Sequence, residues 1–266
     1  MFYSLLVFCI VQSITEFLPV SSTAHLIIIQ QWFNSAQNSL LLEVGLHLGT
    51  LLAIVLFYIK DVSNLIFSFI RGTLTVNNRD TPYFKLSLYI IAATIPSILA
   101  GFLIKPYIEF IHNNLWIIAF SSILFGGLLA FVDLSNPQDQ DEITFSRALL
   151  IGLGQLFAFI PGGSRLGTTV TVSRILGLSR LKAFHFSMLI SIPVVLGAVV
   201  LTSIDALKNG CFDLSFEFGF ILAVTFCLSY LTLFLVNKFI DRVGFFPFGI
   251  YRILFGIFLI LYLLSY

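Results

Sequence analysis

A chain of 266 residues that is 58% hydrophobic and only 10% charged is not a water-soluble domain, where about a quarter of residues are charged. Mean hydropathy is +1.02 and there are thirty phenylalanines, so most of the surface is expected to face lipid. A net charge of +1 carries no argument for nucleic acid, which is not an expected partner.

The N-terminus, 1–18, is apolar, with no basic leader and no clear cleavage site, and is expected to be retained. Crossing a bilayer takes about 20 apolar residues. The stretches 42–59, 84–104, 115–132, 184–203, 218–237 and 246–265 are candidate full spans. The segments 1–18, 23–33, 63–71, 148–160 and 168–178 are too short or are interrupted. Pro96 predicts a kink and Pro106 a helix start. Cys9, Cys211 and Cys227 are scattered in apolar surroundings and read as small buried hydrophobes.

Two interruptions stand out. The first, Gln12-Ser-Ile-Thr-Glu16-Phe-Leu-Pro19-Val-Ser21-Ser22-Thr23-Ala-His25, puts a carboxylate, three hydroxyls and an imidazole within residues 16–25, where a span would continue. The second, Gln155-Leu-Phe-Ala-Phe-Ile-Pro161-Gly162-Gly163-Ser164-Arg165-Leu-Gly167-Thr168-Thr169, echoes it. In each, a Gln leads to a Pro, with Ser22 and Ser164 three positions after the prolines. Shifting by the 142 residues that separate Pro19 from Pro161 sets Glu43–Phe57 opposite His185–Val199. Matching broken segments in two halves are the mark of an internal repeat with its site at the repeat interface. The pseudo-repeats are expected at about 1–132 and 143–266 of one transmembrane domain.

The loop from Lys60 to Lys85 and the one near Lys238 and Arg242 are basic, hence cytoplasmic. Span 42–59 then enters the cell while 184–203 leaves it, so the halves are inverted. The acidic loop 133–147, with Asp133, Asp139, Asp141 and Glu142, is placed on the cytoplasmic side.

Unpartnered polar groups in hydrocarbon are costly, and ionisable ones mark function. A helix opening at Ser21 or Ser22 leaves backbone N–H groups free for an anion. Ser22 and His25 share a face. Alternatively Ser22 only caps the helix and His25 bonds a carbonyl. Gly162 and Gly163 let backbone approach a ligand, and their amides can form an anion nest. Arg165 adds a planar cation suited to phosphate. Thr168 and Thr169 add hydroxyls. Glu16 has three open roles: metal ligand, base, or partner of Arg165. Gln12 lies on the same face. Glu43 and His47, four residues apart, are candidates to line the same cavity, and Gln155 to bond backbone in the second break. Arg174 and Arg180 read as snorkelling to the interface. His112 and His185 receive no role.

These motifs resemble the undecaprenyl-diphosphate phosphatases, bacterial membrane enzymes associated with bacitracin resistance. Supporting stretches are His47-Leu-Gly-Thr-Leu-Leu-Ala, Ala148-Leu-Leu-Ile-Gly-Leu-Gly-Gln155, Phe186-Ser-Met-Leu-Ile-Ser-Ile-Pro193 and Tyr251-Arg252-Ile-Leu-Phe-Gly. The resemblance implies an all-α polytopic protein with an inverted-topology repeat, about six full spans and two re-entrant hairpins. It also implies removal of the terminal phosphate of a C55 polyprenyl diphosphate, recycling the carrier lipid for cell-wall synthesis. A divalent metal ion (Mg²⁺ or Ca²⁺) and an inner-membrane location with an outward-facing site come with it. Expected partners are the polyprenyl diphosphate, membrane lipid and a second copy of the chain as a homodimer.

By position, Glu16, Ser22, His25 and Arg165 take the catalytic roles. Ser21, Thr23, Gly162, Gly163, Ser164, Gly167, Thr168 and Thr169 bind phosphate, and Glu16 with Gln12 holds the metal. Glu43, His47 and Gln155 stand behind them. Gln12 replaces a common Glu, and Leu166 a common Ser. The nucleophile is open between Ser22 and His25, with water activated by His25 a further version. A lipid-carrier flippase or anion transporter of the same architecture is the rival reading.

Overall fold

The structure is a computed structural model that describes residues 2–33, 40–75, 79–112, 114–135, 142–210 and 215–265. All regular structure among them is helical. The helices are α1 (Phe2–Thr15), α2 (Ser22–Phe33), α3 (Leu40–Phe57), α4 (Ile59–Leu74), α5 (Pro82–His112) and α6 (Leu115–Ser135). They continue with α7 (Phe145–Gly154), α8 (Arg165–Ile175), α9 (Arg180–Lys208), α10 (Phe216–Val243) and α11 (Phe246–Leu264). A 3₁₀ segment, Gln155–Phe159, extends α7. Cys211, Asp139 and Asp141 lie outside the described residues.

Among the described residues six helices are long and apolar enough to span a membrane: α3, α5 over Pro82–Ile104, α6, α9, α10 and α11. The protein is a multi-pass membrane protein of the all-α class. Exposed Phe102, Phe120, Phe131, Phe234 and Phe258 show why its phenylalanine content is high: they clothe outward faces. α4, with Lys60, Asp61, Asn64 and Arg71, is too polar to cross and lies along α5. Local chemistry sets the helix starts. Thr144, Ser164, Ser179 and Ser215 each accept a hydrogen bond from the amide three residues on.

α1 packs on α10 and α7 on α5, while α3 meets α9 and α6 meets α11. α3 and α9 run antiparallel. The Tyr58 ring, just past α3, lies 5.0 Å from that of His185 near the start of α9, whose Nε2 is 3.1 Å from Asp61. The main core collects around the first half of α9, with Phe184, Phe186, Met188 and Ile190 against Ile54, Leu166, Leu233 and Phe245.

Several expectations change here. Pro106 lies inside α5 and does not open a helix. Cys9 is buried, but Cys227 is exposed on α10. Asp133 belongs to α6, not to a loop, and is 4% exposed. Arg174 and Arg180 do not snorkel. Arg180 Nε and Nη2 each donate to Asp133 at 2.9 Å, and Arg174 is 3.6 Å away. The amides of Phe245 and Phe246 also donate to Asp133, so one carboxylate ties α6, α8, α9 and the start of α11 together.

Candidate active site

The two broken segments meet in the interior. Ser21 (φ 74°) and Ser164 (φ 64°) are the non-glycine residues with positive φ among those described. Side chains avoid that region, and such strain collects at functional sites. Both serines precede a helix and cap it. Ala24 N donates to Ser21 Oγ at 3.4 Å, and Gly167 N to Ser164 Oγ at 3.1 Å. The equivalent of Ser164 is therefore Ser21, not Ser22. Ser22 instead matches Arg165, the first residue of the other helix. The prolines mislead because one turn holds one residue more between proline and cap.

The turns touch directly, with Gly162 N donating to Ser21 Oγ at 3.2 Å. Where they join, Glu16 is 8% exposed and organises the rest. Arg165 Nη2 donates to its Oε1 at 2.6 Å. Ser22 Oγ donates to Oε2 at 2.8 Å, and Gln12 Nε2 to the same oxygen at 3.1 Å. A cavity of about 170 Å³ opens beside this cluster. Its polar wall includes Glu16, Ser21, Ser22, Thr23, Ser164 and Arg165; Val194, Val195 and Ala198 of α9 make an apolar side. The first amides of α2 and α8 have no intrahelical acceptor, so two helix N-termini with the Arg165 guanidinium form a site for an anion.

His47 and Gln155 also line the cavity, as does Leu166, at the position where the resembled family commonly has Ser. Gln155 does not bond the turn backbone; its Nε2 donates to Ser97 Oγ at 2.8 Å. Glu43 is exposed and outside the lining. Gly162, Gly163, Gly167, Thr168 and Thr169 stand behind the wall. A Cβ on Gly162 would strike Ser121 and the Ile118 carbonyl, so this glycine admits α6, not a ligand. Gly163 N donates to Ile160 O, and the Thr168 and Thr169 hydroxyls donate to Arg165 O. None of these groups is aimed at the cavity.

His25 is turned aside as well. Its Nδ1 is 2.7 Å from Ser21 O; a carbonyl only accepts, so Nδ1 carries the hydrogen. In the neutral ring Nε2 then accepts from Tyr251 OH at 2.7 Å, and the ring stacks on Phe255 at 4.6 Å. The sequence gives no site role to Ser97, Tyr251 or Arg252, although the Tyr251-Arg252 stretch carries part of the family resemblance. Ser97 adjoins a proline read only as a kink. The other two sit in an apolar span remote from both breaks.

Among the described residues no three His, Cys, Asp or Glu side chains converge as a metal cage. A Mg²⁺ bound with phosphate needs only one or two carboxylates, the rest coming from phosphate and water. Glu16 fits that share, and Gln12 Oε1 is a buried oxygen without a hydrogen-bond partner.

The profile of the family described as "Bacitracin resistance protein BacA" matches residues 5–258. The chain belongs to this family. Among its relatives, the undecaprenyl-diphosphatase of Alteromonas mediterranea is 35% identical over 259 residues, 96% of either chain. Undecaprenyl-diphosphatase 1 of Pseudoalteromonas translucida is 35% identical over 263 residues, 97% of either chain. The undecaprenyl-diphosphatase of Aliivibrio salmonicida is 36% identical over 256 residues, 93% of this chain and 92% of its own. The BacA match thus spans both broken segments and the helices that bring them together.

Proposed function

We propose that the chain is a phosphatase that hydrolyses undecaprenyl diphosphate to undecaprenyl phosphate and inorganic phosphate, with Ser22 as nucleophile. The observation that carries the chemistry is the Ser22–Glu16–Arg165 cluster at two converging helix N-termini. Phosphoryl transfer needs charge stabilisation, an aligned nucleophile and a place for its proton. Arg165 and the first amides of α2 and α8 hold the terminal phosphate. Ser22 Oγ attacks its phosphorus while the Ser22 proton passes to Glu16 Oε2. The bond to the bridging oxygen breaks, and undecaprenyl phosphate leaves with the electron pair. Water then attacks the phosphoserine phosphorus, the bond to Ser22 Oγ breaks, Glu16 returns its proton to that oxygen, and phosphate leaves carrying both protons of the water. His25, committed to Ser21 and Tyr251, holds the turn behind the nucleophile and takes no proton.

A divalent ion held by Glu16 and Gln12 Oε1 would neutralise charge on the diphosphate. The matched strained caps at Ser21 and Ser164, with antiparallel α3 and α9, support reading the halves as an inverted repeat. The basic loops favour an inner-membrane protein whose cavity opens outward.

The decisive experiment uses purified protein in detergent with undecaprenyl diphosphate, with and without chelator. Wild-type protein releases phosphate and Ser22→Ala does not. A trapped phospho-histidine would overturn the serine assignment. A silent wild-type protein would overturn the reaction.

A further inference from the structure

Arg252 of α11 heads the fully buried side chains by volume, with 0% exposure. Its Nη2 donates to Gly162 O at 2.6 Å and Gly163 O at 2.8 Å. Its Nη1 donates to Pro19 O at 3.4 Å. One guanidinium therefore grips the turn before α2 and the turn before α8. Among the described residues no carboxylate pairs with it.

Neighbouring helices are built to admit this side chain. A Cβ on Gly126 of α6 would lie 2.7 Å from Arg252 Cβ, and one on Gly167 of α8 would lie 2.5 Å from Nη1. Burying a guanidinium costs several kcal/mol, roughly, and an apolar residue of similar volume often serves stability as well or better. Stability alone thus does not account for an arginine here.

We propose that Arg252 is the positioning residue of the phosphate site. It sets the distance between the two turns, and so between Ser22 and Arg165 on either side of Glu16. It also puts a positive charge beneath both helix N-termini that no carboxylate among the described residues cancels. Lysine is not equivalent, because a single ammonium lacks the planar fork that reaches acceptors on two segments. The proposal rests on the phosphatase reading for its kinetic consequence, but not for its structural one.

The test is Arg252→Lys in the full chain, purified in detergent. Misplacing reacting groups by about 1 Å costs on the order of 100-fold in rate. We expect kcat to fall by about that factor, with KM within about threefold. Hydrogen exchange is expected to quicken in peptides covering 16–24 and 160–168, and to stay unchanged around Asp133. Folded Arg252→Lys with wild-type kcat and unaltered exchange at both turns overturns the proposal. Should that variant not fold, Gly167→Ala, which presses a methyl group on Nη1, is expected to lower kcat about tenfold and to loosen the same peptides. Wild-type kcat and exchange in Gly167→Ala would overturn it equally. If wild-type protein releases no phosphate, the phosphatase reading fails, and exchange at the two turns alone decides the role of Arg252.

Discussion

Among the described residues two buried carboxylates each hold arginine, and they differ in what is left over. Asp133 is saturated: Arg180 binds both oxygens, Arg174 stands close and two backbone amides complete its shell. Glu16 receives one arginine and a glutamine amide, and its remaining strong donor is a serine hydroxyl beside a cavity. A saturated buried ion pair holds helices in register. A carboxylate that shares an oxygen with a hydroxyl at an open wall can accept a proton. Both carboxylates are buried and both pair with arginine, so neither burial nor ion pairing predicts chemistry; the available partner and the adjoining space do.

The sharpest way to break this contrast is to remove the hydroxyl. Ser22→Ala is expected to lose on the order of 10³-fold or more in kcat, as when a nucleophile is deleted, with unfolding temperature nearly unchanged. Phosphate release on protein of verified monodispersity checks it. The opposite signature belongs to Asp133→Asn. It leaves two arginines facing a neutral amide and is expected to cost about 3 kcal/mol of stability. Turnover per folded molecule should stay at the wild-type level. Thermal unfolding in detergent, read beside activity, separates the two; equal kinetic damage in both variants would sink the distinction.

Arg165→Ala tests the charge clamp. Removing one transition-state donor costs about 10²- to 10³-fold, roughly 2.7–4 kcal/mol. A loss in kcat exceeding that in binding is the expected pattern in steady-state kinetics. The smallest effect is assigned to His25→Gln. A general base contributes about 10²- to 10⁴-fold. A histidine bonded to Ser21 O and Tyr251 should cost less than about tenfold. A thousandfold loss there, measured on folded protein, would return the base to His25.

Much of the site was readable in the letters because the bilayer makes polar residues conspicuous. Glu16, Ser22 and Arg165 stood out in apolar runs, and the structure joins all three. The glycines and threonines of the second break were equally conspicuous, yet they serve backbone packing. Spacing cannot tell a donor facing a cavity from one bonded to the preceding turn. The repeat offset was off by one for a related reason: prolines mark a turn, but the φ-positive cap decides where the helix begins.

Composition and hydropathy by themselves determined the solvent, the six apolar stretches of spanning length and the two interrupted segments, since an apolar run of about 20 residues crosses lipid as a helix whose backbone hydrogen bonds are all internal. Which carboxylate meets which arginine, where His25 points, and that Arg252 grips both turns were decided only by tertiary structure. Those contacts join residues 149, 226 and 233 positions apart, where sequence periodicity carries no directional information.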